Sequence, residues 1–482
     1  MHFLFRLILC SISGLFFIPF LIAQTPQPVP PLPSEDQVAW QKMEAYAFIH
    51  FGPNTFGDRE WGYGDAPAAS FNPTHLDTRQ WTKTCKAAGL KGIIITAKHH
   101  DGFCLWPTRY TDYCVRNSPF RDGQGDVIAE LAAACREEGL KMGIYISPWD
   151  RHQAFYGTPF YLEYYLAQMK ELLTQYGEIF EVWLDGANGG DGWYGGAKEK
   201  RKIDRRSYYD FPRIHETIRR YQPHAIIFSD AGPGCRWVGN ERGFANATNW
   251  SFLRLNEVYP GYDKHEELQE GHADGDSWVA AECDVSIRPG WFYHKNEDDS
   301  VKSVDHLVDL YYRSVGHNGT FLLNFPVTPE GRIHPTDSAH AVQAFQQIQK
   351  ELGVNLLRGA KITTSNSRGK FFSAENVVDG KYDTYWATSD DIKTATVTFL
   401  LKGKRRISRL SLQEYIPLGQ RIRLFAVEYY DGKRWQPINC GEETTTIGYK
   451  RLLRFPPVET KQLRIRILDS RGAICINEVG AY

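Results

Sequence analysis

Seven short runs of β-branched and aromatic residues punctuate the stretch from about residue 44 to 352: "YAFIHFG", "GIIITAKHH", "MGIYIS", "IFEVWLDG", "AIIFSDAG", "SWVAAECDVS" and "TFLLNFPV". Segments of helical spacing lie between them. "DVIAELAAACREEGL" places apolar residues at helical intervals and ends at a glycine, and "YLEYYLAQMKELLTQYG" repeats the pattern. Runs without hydrophobic–polar alternation belong to strands buried on both faces, as in a parallel sheet. Seven or eight strand–helix units over roughly 300 residues predict a (β/α)8-type barrel, placed here at 38–355. A doubly wound open sheet is the alternative; no GxGxxG follows the first strand, which weakens it.

Past Leu357 the texture changes. "ATVTFLL", "ISRLSLQEY", "RIRLFAVEYY", "QLRIRIL" and "ICINEVGAY" alternate in character, turns such as "DGKRW" join them, and helical patterns vanish. This predicts a C-terminal all-β sandwich over 358–482. The fold class is thus α/β, a barrel followed by a sandwich.

The N-terminus reads "MHFLFRLILCSISGLFFIPFLIAQTPQPVPPLPS". One early base, an apolar run to Ala23 and a Pro-rich polar stretch predict a cleaved signal over 1–23, a linker over 24–37, and export to the periplasm or medium. An uncleaved membrane anchor is the alternative, although the run is short for a span. No later segment resembles a transmembrane helix. Eight cysteines follow Cys10 without any CxxC pair, so a zinc ribbon is not expected. Export would permit some of them to oxidise, while the apolar setting of several favours buried thiols. A net charge of −1 argues against nucleic acid or an anionic membrane as the main partner. With 13 Trp, 26 Tyr and 27 Phe, the chain is well supplied with rings that pack on sugar faces, or fill cores.

In such a barrel the active site lies at the carboxyl ends of the strands. The polar residues there are His50; then Lys98, His99, His100 and Asp101; Tyr145, with Trp149 and Asp150 beyond; Asp185; Asp230, with Glu241 in the following loop; Glu282 and Asp284, then Arg288 and Trp291; and Asn324. Burying such groups without partners costs about 1–3 kcal/mol each, so their gathering at one end calls for a function. A zinc site is not expected: adjacent His99 and His100 on a strand would point to opposite faces, and neither HxH nor HExxH occurs. No GxSxG marks a serine hydrolase. What remains is two carboxylates flanking a glycosidic bond, with no metal and no cofactor.

"FIHFG", "KHHDGFCLW", "GIYIS", "VWLDG" and "LLNFPVTPEGRI" together resemble glycoside hydrolase family 29, the α-L-fucosidases, over about 38–350. "RWVGNERG" and "SPWDR" resemble the branch acting on α-1,3/1,4-linked fucose in Lewis-type glycans. The resemblance implies a barrel with a C-terminal β domain and a retaining double displacement. Carried over, Asp185 of "VWLDG" is the nucleophile and Glu241 of "GNERG" the acid/base. A cap on a following helix is the structural alternative for Asp185. Glu60 in "REWGYG" is the rival acid/base; the chain departs from the other branch's Glu-Trp-Tyr run at Gly62, and Glu60, beside Trp61, is assigned to sugar contacts or support of the nucleophile.

By the same resemblance His50, His99, His100 and Tyr145 contact fucose hydroxyls or the nucleophile. Trp291, with Phe292 in reserve, packs on the C5 methyl. Trp149, Asp150 and Arg151 touch the next sugar, and Arg288 is either a site residue or a structural ion-pair partner. The expected partner is a fucosylated oligosaccharide or glycoconjugate. The alternatives are a non-catalytic carbohydrate-binding protein and a hydrolase of another 6-deoxy or galacto-configured sugar. "AENVVDGKYDTYWAT" and the closing "INEVGAY" resemble the discoidin or coagulation-factor C-type module, a galactose-binding-like sandwich. Such a module binds sugar or braces the barrel; Asp379, Asp383 and Glu478 are candidate calcium ligands, and Trp386 stacks on sugar or fills the core.

Overall fold

Eight strands, each in parallel register with the next, close into a barrel in the computed structural model, which describes residues 24–482. They are β1 (Ala45–His50), β2 (Gly92–Lys98), β3 (Lys141–Ile146), β4 (Glu181–Trp183), β5 (Ile226–Ser229), β6 (Cys235–Trp237), β7 (Ala280–Ser286) and β8 (Thr320–Pro326). Strand β8 returns to β1 over Ala45–His50, so no edge remains and the open-sheet alternative is excluded. The signal expected at 1–23 lies outside the described residues. No helix among the described residues is long and apolar enough to cross a membrane.

The helical segments form where their patterns predict. Val127–Glu138 starts at Asp126, whose side chain accepts the Ala129 amide, and ends at Gly139 with φ 71°. Phe160–Gln175 buries Tyr161, Tyr165, Leu166, Met169, Leu172 and Leu173 on one face. Strand β6 was not among the seven runs. Only residues 230–234 separate it from β5, too few for a helix, and its three residues give no apolar run. The short return works because β6 pairs high on β5, with Phe228 opposite Cys235.

Side chains alternate between the barrel interior and the helices. Ala47, Ile49, Val182, Leu184, Leu323 and Phe325 join the helical layer, whereas Tyr46, Phe48, Trp183, Ile226, Phe228, Cys235 and Leu322 fill the interior. Continuing the inward rows by two residues reaches His50, Asp185, Asp230 and Asn324. The interior period therefore delivers polar groups to one rim.

The sandwich is antiparallel, with two long strands, Ala395–Glu414 and Arg451–Ser470, at its centre and its own apolar core. Trp386 is buried there and donates to the Asn366 carbonyl at 3.0 Å, which makes it a core residue. The two domains are stitched by hydrogen bonds: the Asn249 amide to Thr446 Oγ1 (2.8 Å), the Ser251 amide to Gln420 Oε1 (2.8 Å), and the Tyr449 amide to Asn318 Oδ1 (2.7 Å). The Pro-rich stretch expected as a linker is instead fastened to the sandwich. Its Val29 amide donates to the Leu418 carbonyl (2.9 Å), and Arg421 and Arg471 donate to the carbonyls of Gln27 and Pro30. Ser34 then caps a helix at Glu35–Gln41 in a capping box. All eight described cysteines are free, and seven are buried.

Candidate active site

Asp185 follows Trp183 by two residues and so stays on the interior row. Its Oδ2 accepts the Tyr145 hydroxyl at 3.0 Å and its Oδ1 the Ala187 amide at 2.7 Å. Gly186 is needed next to it, because a Cβ there would collide with the Asp230 carboxylate. No helix begins at Asp185; the chain enters a two-stranded ribbon, Gly189–Gly192 with Glu199–Lys202, so the helix-cap alternative does not apply.

Three histidines surround this carboxylate. His50 Nδ1 lies 2.8 Å from Asn324 Oδ1, and the Asn324 amide group donates to Ser286 Oγ and the Trp291 carbonyl, both at 2.9 Å. The carbonyl can only accept, which orients the amide, puts the His50 proton on Nδ1 and leaves Nε2 as an acceptor. Burial pushes the His50 pKa down to about 3, so the ring is neutral. His100 Nδ1 lies 2.7 Å from Ser147 Oγ, which itself donates to the Trp149 carbonyl, and His100 Nε2 stands 3.7 Å from Asp185 Oδ2. His99 stacks on Tyr145 with centroids 5.7 Å apart. The expected opposite pointing of His99 and His100 is not found: both border the same cavity, because β2 ends at Lys98 and strand alternation lapses beyond it.

The second carboxylate comes from the loop after β6. Glu241 accepts Trp291 Nε1 at 3.1 Å. Burial, followed by the charges of Asp185 and Glu60, raises its pKa above the usual range, although the Trp291 bond opposes this. Glu60 is differently engaged. Its Oε2 accepts the Trp291 amide (2.8 Å), and its Oε1 accepts the Phe292 amide (3.1 Å) and pairs with His294 Nε2 (2.7 Å). It fastens the loop that carries Trp291, whose ring sits 5.1 Å from that of His50. Trp61 is 55% exposed and meets His100 edge-on at 5.1 Å.

His50, Glu60, Trp61, His99, His100, Tyr145, Asp185, Glu241 and Trp291 all border one cavity of about 70 Å³. Phe48 and Trp183 line it from within the strands, and Asp284 with them; inward alternation below His50 and Asp185 is the signal that would have found the first two. Asp284 accepts Trp237 Nε1 at 2.9 Å, and burial together with nearby Glu241 and Glu282 pushes its pKa well up. A wider cleft of about 300 Å³ adjoins this cavity, sharing Trp61, Asp185, Glu241 and Asp284 and adding Asp230, Arg205 and Tyr262.

Several expected site residues lie elsewhere. Asp150 is fully buried in an ion pair with Lys98 (3.1 Å) and caps the amides of His152 and Gln153, and it borders neither the inner cavity nor the outer cleft. Trp149 is buried behind His100 and donates to the Tyr194 hydroxyl at 3.0 Å; it backs the wall without lining the cavity. Arg151 ties the loop of Trp61 and Gly62 to Asp191. Arg288 holds Asp337 through two bonds (2.8 and 2.9 Å) and Asp298 at 2.9 Å, the structural alternative. Phe292 is buried against His50 and His99. Glu282 sits inside the barrel below Trp183, whose Nε1 it accepts at 2.8 Å, and next to Glu181.

The site thus offers two carboxylates at the junction of a small inner cavity and a wider cleft, neutral imidazole acceptors, and an aromatic wall. Among the described residues, no lysine or arginine borders the inner cavity. Among the described residues, the one three-member grouping of potential metal ligands is Glu181, Cys235 and Glu282, enclosed in the barrel core beneath the site.

Residues 27–350 match the family described as Alpha-L-fucosidase, and residues 361–479 match the F5/8 type C domain. Alpha-L-fucosidase 1 of Arabidopsis thaliana is 43% identical over 488 residues, an alignment spanning 100% of this chain and 93% of the plant protein. The crystal structure of a glycoside hydrolase 29 family member from an unknown rumen bacterium superposes with a TM-score of 0.84 at 44% identity, covering 95% of this chain and 78% of that one. A family 29 fucosidase of Ruminococcus gnavus, in complex with fucose, superposes with a TM-score of 0.85 at 33% identity over 95% and 96% of the two chains.

Proposed function

Because the chain belongs to the alpha-L-fucosidase family and is a family 29 glycoside hydrolase, we propose that it releases terminal L-fucose by double displacement, with Asp185 as nucleophile and Glu241 as acid/base. Asp185 attacks the anomeric carbon while Glu241 gives its proton to the leaving glycosidic oxygen. The resulting fucosyl ester is opened by a water whose proton returns to Glu241, and Asp185 leaves as carboxylate. The observation that carries this assignment is positional. Asp185 and Glu241 both border the inner cavity and the outer cleft, whereas the oxygens of Glu60, the rival acid, are occupied by the Trp291 and Phe292 amides and His294.

The remaining groups fit recognition of a 6-deoxy sugar. His50 Nε2 accepts a hydroxyl proton, as His100 and His99 do on the other side, and Trp291 packs on the C5 methyl. An apolar slot discriminates only modestly, so hydroxyl geometry carries most of the selectivity. A preference for α-1,3/1,4-linked fucose draws support from the "GNERG" and "SPWDR" segments and from the room that the outer cleft gives a branched leaving group. Export is part of the proposal and rests on the apolar N-terminal run. The sandwich acts as a brace, a reading supported by its hydrogen bonds to the barrel and its buried Trp386.

The test is hydrolysis of an α-1,3-, α-1,4- and α-1,2-fucosylated glycan panel with the anomeric form of the first product read by NMR. The expected outcome is α-L-fucose released first, from the α-1,3 and α-1,4 members. First release of β-L-fucose, or unchanged turnover by Asp185→Ala, would overturn the mechanism.

A further inference from the structure

The loop leaving β4 carries a charge pattern that fucose release does not use. The ribbon's returning strand and the turn after it read "KEKRKIDRR" over 198–206, six cations and two acids in a chain of net charge −1. Gly189 lies opposite Lys202 and Asp191 opposite Lys200. Gly189 is the fourth residue after Asp185, so the ribbon begins no more than about 14 Å along the chain from that carboxylate. Gly190 passes against Trp149, where a Cβ would stand 3.1 Å from the indole, which seats the ribbon on the wall of the site.

An open groove of about 600 Å³ runs along this ribbon, bordered by Lys200, Arg201, Lys202 and Arg205 with Asp204 as its one acid. Asn188 and Arg205 border both this groove and the outer cleft, so the groove adjoins the cleft that Asp185 and Glu241 line. Arg201 is paired with Glu199 at 2.7 Å, and Arg205 reaches Asp263 at 3.3 Å. Asp204 is turned onto its own backbone, accepting Ser207 Oγ (2.6 Å) and the Arg206 amide (3.1 Å). Lys200 and Lys202 are exposed, and among the described residues neither has a carboxylate within 4 Å. The polarity therefore reverses between the two: carboxylates at the proposed point of cleavage, ammonium groups outside any ion pair at the far end. Neutral sugar hydroxyls do not require the latter; an anion does.

We propose that the ribbon groove is a subsite for an anionic substituent, a carboxylate or a sulfate ester, on the sugars of the leaving group. The proposal rests on the reading of Asp185 and Glu241 as the point of cleavage. The experiment uses the full chain and three matched substrates: a neutral α-1,3/1,4-fucosylated oligosaccharide, its sialylated form and its sulfated form. kcat/KM is measured at low salt and near 0.5 M. At low salt the anionic forms are expected to be favoured by about three- to tenfold, and the ratio to fall towards one at high salt, where the Debye length shrinks to a few ångströms. K200A/K202A brings the low-salt ratio close to one and K200E/K202E inverts it. A preference for only one of the two anions assigns the groove to that anion. Equal kcat/KM for neutral and anionic forms at low salt, or a ratio that neither double variant moves, overturns the proposal. If none of the three is cleaved, the cleavage reading fails, and binding decides: equal, salt-insensitive retention of the three glycans on the immobilised protein overturns the subsite as well.

Discussion

The Tyr145 hydroxyl donates to Asp185 Oδ2 at 3.0 Å while the Ala187 amide holds Oδ1 at 2.7 Å, so both oxygens of one carboxylate are aimed from two sides. In the proposed mechanism, a nucleophile held in this way loses little orientation entropy in the attack. Asp185→Ala is expected to lower kcat by about 10⁴-fold or more on every fucoside, glycan or aryl. Tyr145→Phe keeps the ring and removes the donor, and should cost about ten- to a hundredfold in kcat/KM. Steady-state kinetics on one glycan and one aryl fucoside check both.

Glu241 behaves differently with the leaving group. Because burial and the Asp185 and Glu60 charges raise its pKa, its proton persists to higher pH than on a free glutamate, and the rate falls as pH rises through that raised value. Glu241→Gln should remove this descending limb. It should slow glycan hydrolysis by roughly 10²–10⁴-fold, and hydrolysis of an aryl fucoside with an acidic leaving group far less. Equal losses on both substrates would exclude Glu241 as the proton donor.

Glu60→Gln separates fastening from proton transfer. The descending limb survives, because Glu241 is intact, but moves to lower pH, because one of the charges raising the Glu241 pKa is gone. KM rises as the Trp291 loop loosens. A flat alkaline side in this variant would instead mark Glu60 as the acid/base. The readout is the pH dependence of kcat/KM.

Asn324 sets the His50 tautomer through a 2.8 Å bond while its amide group holds Ser286 and the Trp291 carbonyl. Asn324→Asp gives the ring an anionic partner and raises its pKa from about 3, so the imidazole gains a proton and Nε2 stops accepting. The expected result is a KM increase of about tenfold or more that eases as pH is raised, measured by initial rates across pH.

The barrel core holds a second pair of acids. Glu282 accepts the Tyr46 hydroxyl and Trp183 Nε1, Glu181 accepts Trp40 Nε1 at 2.9 Å, and burial raises the pKa of both, with the Glu282 charge adding to it at Glu181. The folded state therefore keeps protons that the unfolded chain releases above about pH 4.5. Stability from this pair is fully present below that pH and is lost as pH rises towards the folded values, by up to about 1.4 kcal/mol per pH unit per proton. Glu181→Gln supplies a permanent donor in place of the shared proton, and its melting temperature should fall less between pH 5 and pH 8 than that of the unsubstituted protein. Identical slopes in thermal melts would rule this out.

Much of this arrangement was legible in the chain. The seven apolar runs all became barrel strands, and Asp185, Glu241, Tyr145, Trp291 and the three histidines converge on one cavity. What escaped has physical causes. Strand β6 is three residues long with no helix before it, so neither period could register. Asp150 has the residue type of a sugar ligand, but its partner Lys98 is 52 residues away in sequence, and the pairing exists only once β2 and β3 lie side by side. Phe48 and Trp183 read as core, and they are core; the floor of the site is the top of the barrel's own packing.

Glu241 rides on residues 238–279, the excursion that joins β6 to β7, and it is this excursion that the sandwich grips, through Asn249, Ser251 and the packing of Trp250, Phe252 and Trp278 against Ile416 and Tyr449. The accessory domain is thus the backing plate of the arm that carries the proposed proton donor, and among the described residues it has no such hold on the tip of β4. On the proposed mechanism, a barrel severed from it would keep an armed Asp185 beneath a slack Glu241: fucosylation of Asp185 by activated substrates would outlast the cleavage of natural glycans.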